Sequence, residues 1–137
     1  MKRLTAPCLG LVMACLLLLT AVQITPAADL PASGALTPAQ ALEVMKSLGD
    51  KLAVVDVRTP EEFAQGHVPG ALLLPVQTLE EEMDKVPADR PVLLLCRTGH
   101  RAGIAYKMIR KARPDQKTLW FLKGIPVYAA DGTFSFR

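Results

Sequence analysis

Three short apolar runs punctuate the chain: LAVV at 52–55, ALLL at 71–74 and VLLL at 92–95. None alternates with polar residues, the pattern of strands covered on both faces of a sheet. A further run, TLWFL at 118–122, predicts a last strand with Trp120 in the core. Between these runs the apolar spacing changes to that of helices. Thr37-Pro38 offers an N-cap and a preorganised first helical residue, Ala41, Leu42, Met45 and Leu48 fall on helical spacing, and Gly49 supplies a stop. Ile104, Met108 and Ile109 give the segment after 102 an apolar side. Strands alternating with helices predict an α/β fold with a mostly parallel sheet. In such sheets sites form beyond the C-terminal ends of the strands.

Shorter signals fill in the rest. Thr59-Pro60-Glu61-Glu62 has the form of a capping box, with Thr59 as cap and Glu62 reaching back, and its helix ends by Gly66. Pro69-Gly70 turns the chain. The stretch 78–85, with Glu80, Glu81 and Glu82, is expected to form a short acidic helix whose charges face solvent. Residues 28–35, rich in Pro, Ala, Ser and Gly, read as a linker, and 36–137 as a single domain.

The segment 1–27 differs from everything after it. Lys2 and Arg3 precede a stretch from 6 to 19 without a charged or hydroxyl residue, and Thr25-Pro26-Ala27 offers a small-residue cleavage site. This is the three-part pattern of a secretory signal peptide, and it predicts export, most simply to a periplasm. Two alternatives stand beside it. An uncleaved anchor over 4–24 is just long enough to span a bilayer and would face the domain to the periplasm, and a lipidation site at Cys15 is disfavoured by the apolar run that continues past it. Without the segment, 14 of the 16 basic residues remain against all 13 acidic ones, a net charge near +1 that does not suggest nucleic-acid binding. Cys8 and Cys15 leave with it, so Cys96 would be alone, a reactive thiol or an intermolecular linker. With His67 and His100 as the only histidines, a zinc site is not expected, nor any other metal or cofactor.

Cys96 carries the chemistry. The strand 92–95 delivers it to the loop RTGHR at 97–101, after which a helix begins. Inward-facing amides of Arg97, Thr98, Gly99, His100 and Arg101 would favour negative charge at the sulfur, an environment in which thiols ionise readily. The flanking charges argue against simple burial of this cysteine. Arg97, His100 and Arg101 could bind an oxyanion, and Gly99 allows a backbone conformation that other residues resist. For Arg101 the alternative is a salt bridge inside the fold, with Asp56 the suggested partner. Arg58 and His67 read as scaffold, His67 within a Gly-His-x-Pro-Gly turn.

CRTGHRA at 96–102, together with DVRTPEEFAQGHVPGALLLP at 56–75, resembles the two signatures of the rhodanese-type sulfurtransferases, and in particular their exported, single-domain, phage-shock-type members. The resemblance spans 35–124. It implies a rhodanese-like three-layer α/β fold, with helices on both faces of the sheet. It also implies transfer of a sulfane sulfur through a Cys96 persulfide, cradled by Arg97, Thr98, Gly99, His100 and Arg101, with Asp56 and Arg58 in support. Expected partners are a small anionic donor such as thiosulfate, a thiol or cyanide as acceptor, and a thioredoxin-like reductant. Near the end the chain departs from the family. Where paired glycines and a tryptophan are usual, it has LKGIPVYAADGTFSFR, with one glycine and Tyr128 near the aromatic position, which predicts a shortened helix or an irregular tail.

Two other functions compete. A rhodanese-like carrier could hold sulfur on Cys96 for a dedicated partner without turnover. A phosphatase relative would use the same loop to wrap a phosphoryl group, but the tyrosine and dual-specificity phosphatases place five residues between Cys and Arg. Here only four separate Cys96 from Arg101, which leaves less room and favours sulfur transfer. The basic loop also resembles that of thiosulfate users more than that of mercaptopyruvate users.

Overall fold

The structure is a computed structural model, and it describes residues 29–116 and 118–137. The predicted strands are present as β2 (Ala53–Asp56), β3 (Leu72–Leu73), β4 (Val92–Leu95) and β5 (Leu119–Leu122). An edge strand, β1 (Gly34–Leu36), precedes them. All five form one parallel sheet in the order β1-β5-β4-β2-β3. Every residue of β4 is buried, because it lies at the centre with cover on both sides.

Among the described residues three helices accompany the sheet: α1 (Pro38–Leu48), α2 (Pro60–Ala64) and α3 (His100–Ala112). Capping boxes start both α1 and α2, with Thr37 paired to Gln40 and Thr59 to Glu62. Two apolar clusters divide along the sheet. Val92 and Leu94 face one, with Ala102, Ala105 and Ile109 of α3; Leu93 and Leu95 face the other, with Ala41 and Val44 of α1. This is the expected three-layer α/β architecture. Trp120 is fully buried in the α1-side cluster, and its indole N–H donates to the carbonyls of Pro31 and Ala32 at 3.0 and 3.1 Å.

The structure departs from the sequence reading at four places. Residues 34 and 35, read as linker, belong to β1, which pairs in register with β5, Gly34 opposite Trp120. Gly34, Ala35 and Leu36 carry no strand signal by themselves; the partner strand at the other end of the chain makes them one. The stretch 78–85 is not an α-helix but a series of turns closing in a 3₁₀ turn at Met83–Lys85. Pro75 and Pro87 bracket it, and Leu79 is drawn into the core. Along α3, Ile104 faces solvent, and Ala102 and Ala105 face the sheet, where small side chains allow close approach. The tail is neither helix nor irregular: β6 (Pro126–Tyr128) and β7 (Phe134–Phe136) form an antiparallel hairpin, and Phe136 packs with α1. Asp131-Gly132, with Gly132 at φ 83°, is the turn signal in that stretch.

Among the described residues no helix is long and apolar enough to cross a membrane. The signal segment 1–27, with its anchor and lipidation alternatives, lies outside the described residues.

Candidate active site

The strand order reverses between β2 and β4. From β2 the chain moves outward to β3, then returns to the other side of β2 as β4. Crevices form at such points beyond the carboxyl ends of the strands. Asp56, the last residue of β2, stands opposite Leu95, the last of β4, and the Val57 amide continues the pairing by donating to the Leu95 carbonyl at 2.9 Å. Cys96 follows directly.

The loop then folds back over its own sulfur. Cys96 Sγ accepts hydrogen bonds from the amides of Gly99, at 3.1 Å, and Ala102, at 3.3 Å. Of the five amides expected to converge, Gly99 reaches the sulfur, and the second donor lies one residue beyond the predicted set. Both favour negative charge on Sγ. Gly99 is left-handed at φ 90°, and a Cβ there would stand 2.7 Å from the Leu122 carbonyl oxygen. The loop therefore needs glycine at this position for its conformation and for its contact with the chain after β5. Arg97, Thr98 and His100 are exposed, whereas Cys96 is only 1% exposed. The expectation that flanking charge keeps this cysteine out of the core is thus incorrect. The charges lie on neighbouring side chains in solvent, and the backbone covers the thiol.

Two ion pairs fix the surroundings. Arg58 grips Asp56, with Nη2 at 2.7 Å and Nε at 2.9 and 3.0 Å from the two carboxylate oxygens, and Nη2 also donates to the Gly66 carbonyl. Asp56 is wholly buried and Arg58 nearly so, which makes this pair a scaffold within the site. Arg101 is held not by Asp56 but by Glu62, whose two oxygens take Nη1 at 2.6 Å and Nη2 at 2.7 Å. Glu62 Oε2 also accepts from the Thr59 amide, so one carboxylate caps α2 and anchors the loop. The capping role was legible in the sequence; the long-range one left no separate signal. His67 stacks on Phe63 at 3.7 Å, and its Nδ1 lies 2.9 Å from the Phe63 carbonyl, a scaffold arrangement. Arg97 alone of the basic side chains at 97 and 101 is free of an ion pair among the described residues. It lines a cavity of about 440 Å³ together with Arg58, Glu62, Gln65, Gly66 and Tyr128. Sequence reasoning missed the place of Tyr128 in this site. Its ring lies beneath the Arg58 guanidinium, 4.9 Å from Cζ to centroid.

Residues 37–134 match the family model of the rhodanese-like domain. The chain belongs to the rhodanese-like domain family. A rhodanese-like relative, a sulfurtransferase of Allochromatium vinosum, is 33% identical over 100 residues, covering 64% of this chain and 94% of that protein. The Saccharomyces cerevisiae single-domain sulfurtransferase RDL2 superposes with a TM-score of 0.52 at 26% identity, over 69% of this chain and 86% of that one. A rhodanese-related protein of Thermoplasma volcanium shares the fold, with a TM-score of 0.57 at 21% identity over 66% of this chain and 84% of its own. Among the described residues no group of three or more His, Cys, Asp and Glu side chains is placed to hold a metal ion.

The Glu62–Arg101 clamp of this rhodanese-like domain sets a pH dependence. Hydrogen bonding to Arg101, against the opposing effect of burial, and aided by the Thr59 amide and the Arg58 charge, holds the Glu62 carboxyl down at about 2, from an ordinary 4.5. A depressed carboxyl contributes stability above its unfolded value and loses that contribution as pH falls through its folded value. Glu62→Gln is therefore expected to be less stable than the parent at pH 7, and the gap should narrow as pH drops from 4.5 toward 2. Urea unfolding of both proteins across that range checks it; a gap independent of pH would rule out the ionic clamp.

Proposed function

We propose that the chain is a thiosulfate sulfurtransferase working through a persulfide on Cys96. The observation that carries this reading is the pair of amides on Sγ at the strand-order switch point, under a loop whose Arg97 is exposed and, among the described residues, free of an ion pair. In the first half-reaction the Cys96 thiolate attacks the sulfane sulfur of thiosulfate. The donor's S–S bond breaks, sulfite leaves with the electron pair, and the new S–S bond leaves the negative charge on the outer sulfur. In the second, a thiol or cyanide takes the outer sulfur and the thiolate returns. Sulfur transfer is favoured over phosphoryl transfer because both terminal nitrogens of Arg101 are occupied by Glu62 and do not face a bound phosphate.

Thiosulfate should add one sulfur atom to the intact mass of the protein, and cyanide should remove it as thiocyanate. Cys96→Ser should do neither while keeping the parent's circular dichroism. Uptake of sulfur by the Cys96→Ser protein would place the chemistry elsewhere. Burial of Cys96 also favours a second reading, a carrier that discharges only to a fitted protein partner such as a thioredoxin-like reductant. Loading by thiosulfate with no turnover on cyanide would select it.

Arg97 is assigned to the donor. A charge-assisted hydrogen bond contributes about 1.5–3 kcal/mol, so Arg97→Ala should raise the KM for thiosulfate by on the order of ten- to a hundredfold with little change in kcat. An unchanged KM in steady-state assays would remove Arg97 from donor binding.

The same reading places the domain outside the cytoplasm, on the strength of Lys2, Arg3 and the apolar stretch that follows. Fractionation with N-terminal sequencing should find a soluble periplasmic form that starts near Ala28. An intact Met1 in the membrane fraction would favour the anchor, and an intact cytoplasmic chain would defeat both.

A further inference from the structure

The Tyr128 hydroxyl is buried and has no hydrogen-bond partner among the described residues. Burying a polar group unpaired is unfavourable, and such groups call for an explanation. The ring is held in place. Arg58 lies over its face, and Gly66 lies against its root, where a Cβ would come within 2.8 Å of Tyr128 Cβ. The acidic group beside it offers no relief, because both oxygens of Asp56 are engaged by Arg58. Burial pushes the phenol up to about 12, with the charges of Asp56 and Cys96 adding to this and that of Arg58 opposing it. At neutral pH the group is therefore a donor, and Tyr128 lines the same cavity as Arg97, the residue after Cys96.

An acceptor for this donor has to come from inside. Cys96 is 1% exposed and the Tyr128 oxygen is enclosed as well, so neither meets bulk solvent. A sulfur atom bonded to Sγ is different. It is placed about 2.05 Å beyond a buried Sγ, and it carries the negative charge that a phenol prefers to meet. We propose that the Tyr128 hydroxyl donates a hydrogen bond to the outer sulfur of the Cys96 persulfide, and so serves as a binding residue for the transferred atom. This rests on the sulfur-transfer reading above. It explains why a polar aromatic can be tolerated here: its hydroxyl is unpaired only in the unloaded state. Arg97 handles the incoming donor, and Tyr128 the sulfur left behind.

Loading is reversible, because sulfite can attack the outer sulfur and regenerate thiosulfate and the Cys96 thiolate. The ratio of sulfite to thiosulfate at half-loading therefore reports the stability of the persulfide, and intact mass reads it. Tyr128→Phe keeps the ring over Arg58 and removes the unpaired hydroxyl, so its melting temperature should equal or exceed the parent's. Its half-loading ratio should fall by on the order of tenfold or more. In the parent, loading should also perturb near-ultraviolet tyrosine absorption. This measurement needs no variant, and Tyr106, the only other tyrosine, lies on α3 with its hydroxyl already accepting from Arg110. If the parent loads but Tyr128→Phe has the same half-loading ratio, or if loading leaves the parent's tyrosine spectrum unchanged, the inference is overturned and sulfur transfer stands. If the parent does not load, both fall.

Discussion

The parallel pairing of β2 with β4 sets Asp56 opposite Leu95, and almost everything in the site follows from that register. It fixes the end of one strand beside the start of the loop that carries Cys96. Asp56 then fixes Arg58, Arg58 reaches the Gly66 carbonyl and covers Tyr128, and the hairpin that supplies Tyr128 folds back against α1. A one-residue slip would exchange the faces of β4, moving Leu93 and Leu95 into the layer now occupied by Val92 and Leu94. With both faces fully buried, the sheet holds that register by shape rather than by polarity.

Around the sulfur, among the described residues, two arginines are paired off and a third is not. Asp56 takes Arg58, Glu62 takes Arg101, and Arg97 stays exposed. The two pairs differ in kind. The Asp56–Arg58 pair is buried, so its desolvation offsets much of its attraction and its value is geometric; losing one partner would leave a charge stranded. The Glu62–Arg101 pair is partly exposed and bidentate, a fork that fixes direction as well as distance. It joins α2, which follows β2, to the first turn of α3, which follows β4. The two sides of the crevice are thereby locked together above the sheet.

Much of this was legible in the sequence, and the remainder was hidden for identifiable reasons. VLLL at 92–95 reads as a central strand because no polar residue interrupts it, and Thr37 and Thr59 announce helix starts by local chemistry alone. Cys96 at a strand end, before a glycine-containing basic loop, is likewise a local signal. What failed depended on partners far along the chain. Gly34–Leu36 becomes a strand only beside β5. The inward face of α3 is set by how closely the helix approaches the sheet, which selects Ala102 and Ala105 over the larger Ile104. Glu62 satisfies a capping pattern completely, so nothing in its neighbourhood points 39 positions onward to Arg101. Burial of Cys96 is hidden because charged neighbours in sequence are not charged surroundings in space.

That burial has a bearing on the oxidation of a single cysteine. A disulfide holds its two Cα atoms about 5.5–6 Å apart, so a second chain bonded to Cys96 would have to bring its own backbone to that distance. The turn of backbone that donates from Gly99 and Ala102 lies against Sγ. With Cys96 1% exposed, this conformation disfavours a covalent bridge between folded chains, which transfer of a single sulfur atom does not require. The same wrapping that favours charge on the sulfur thus helps to spare an unpaired cysteine from cross-linking.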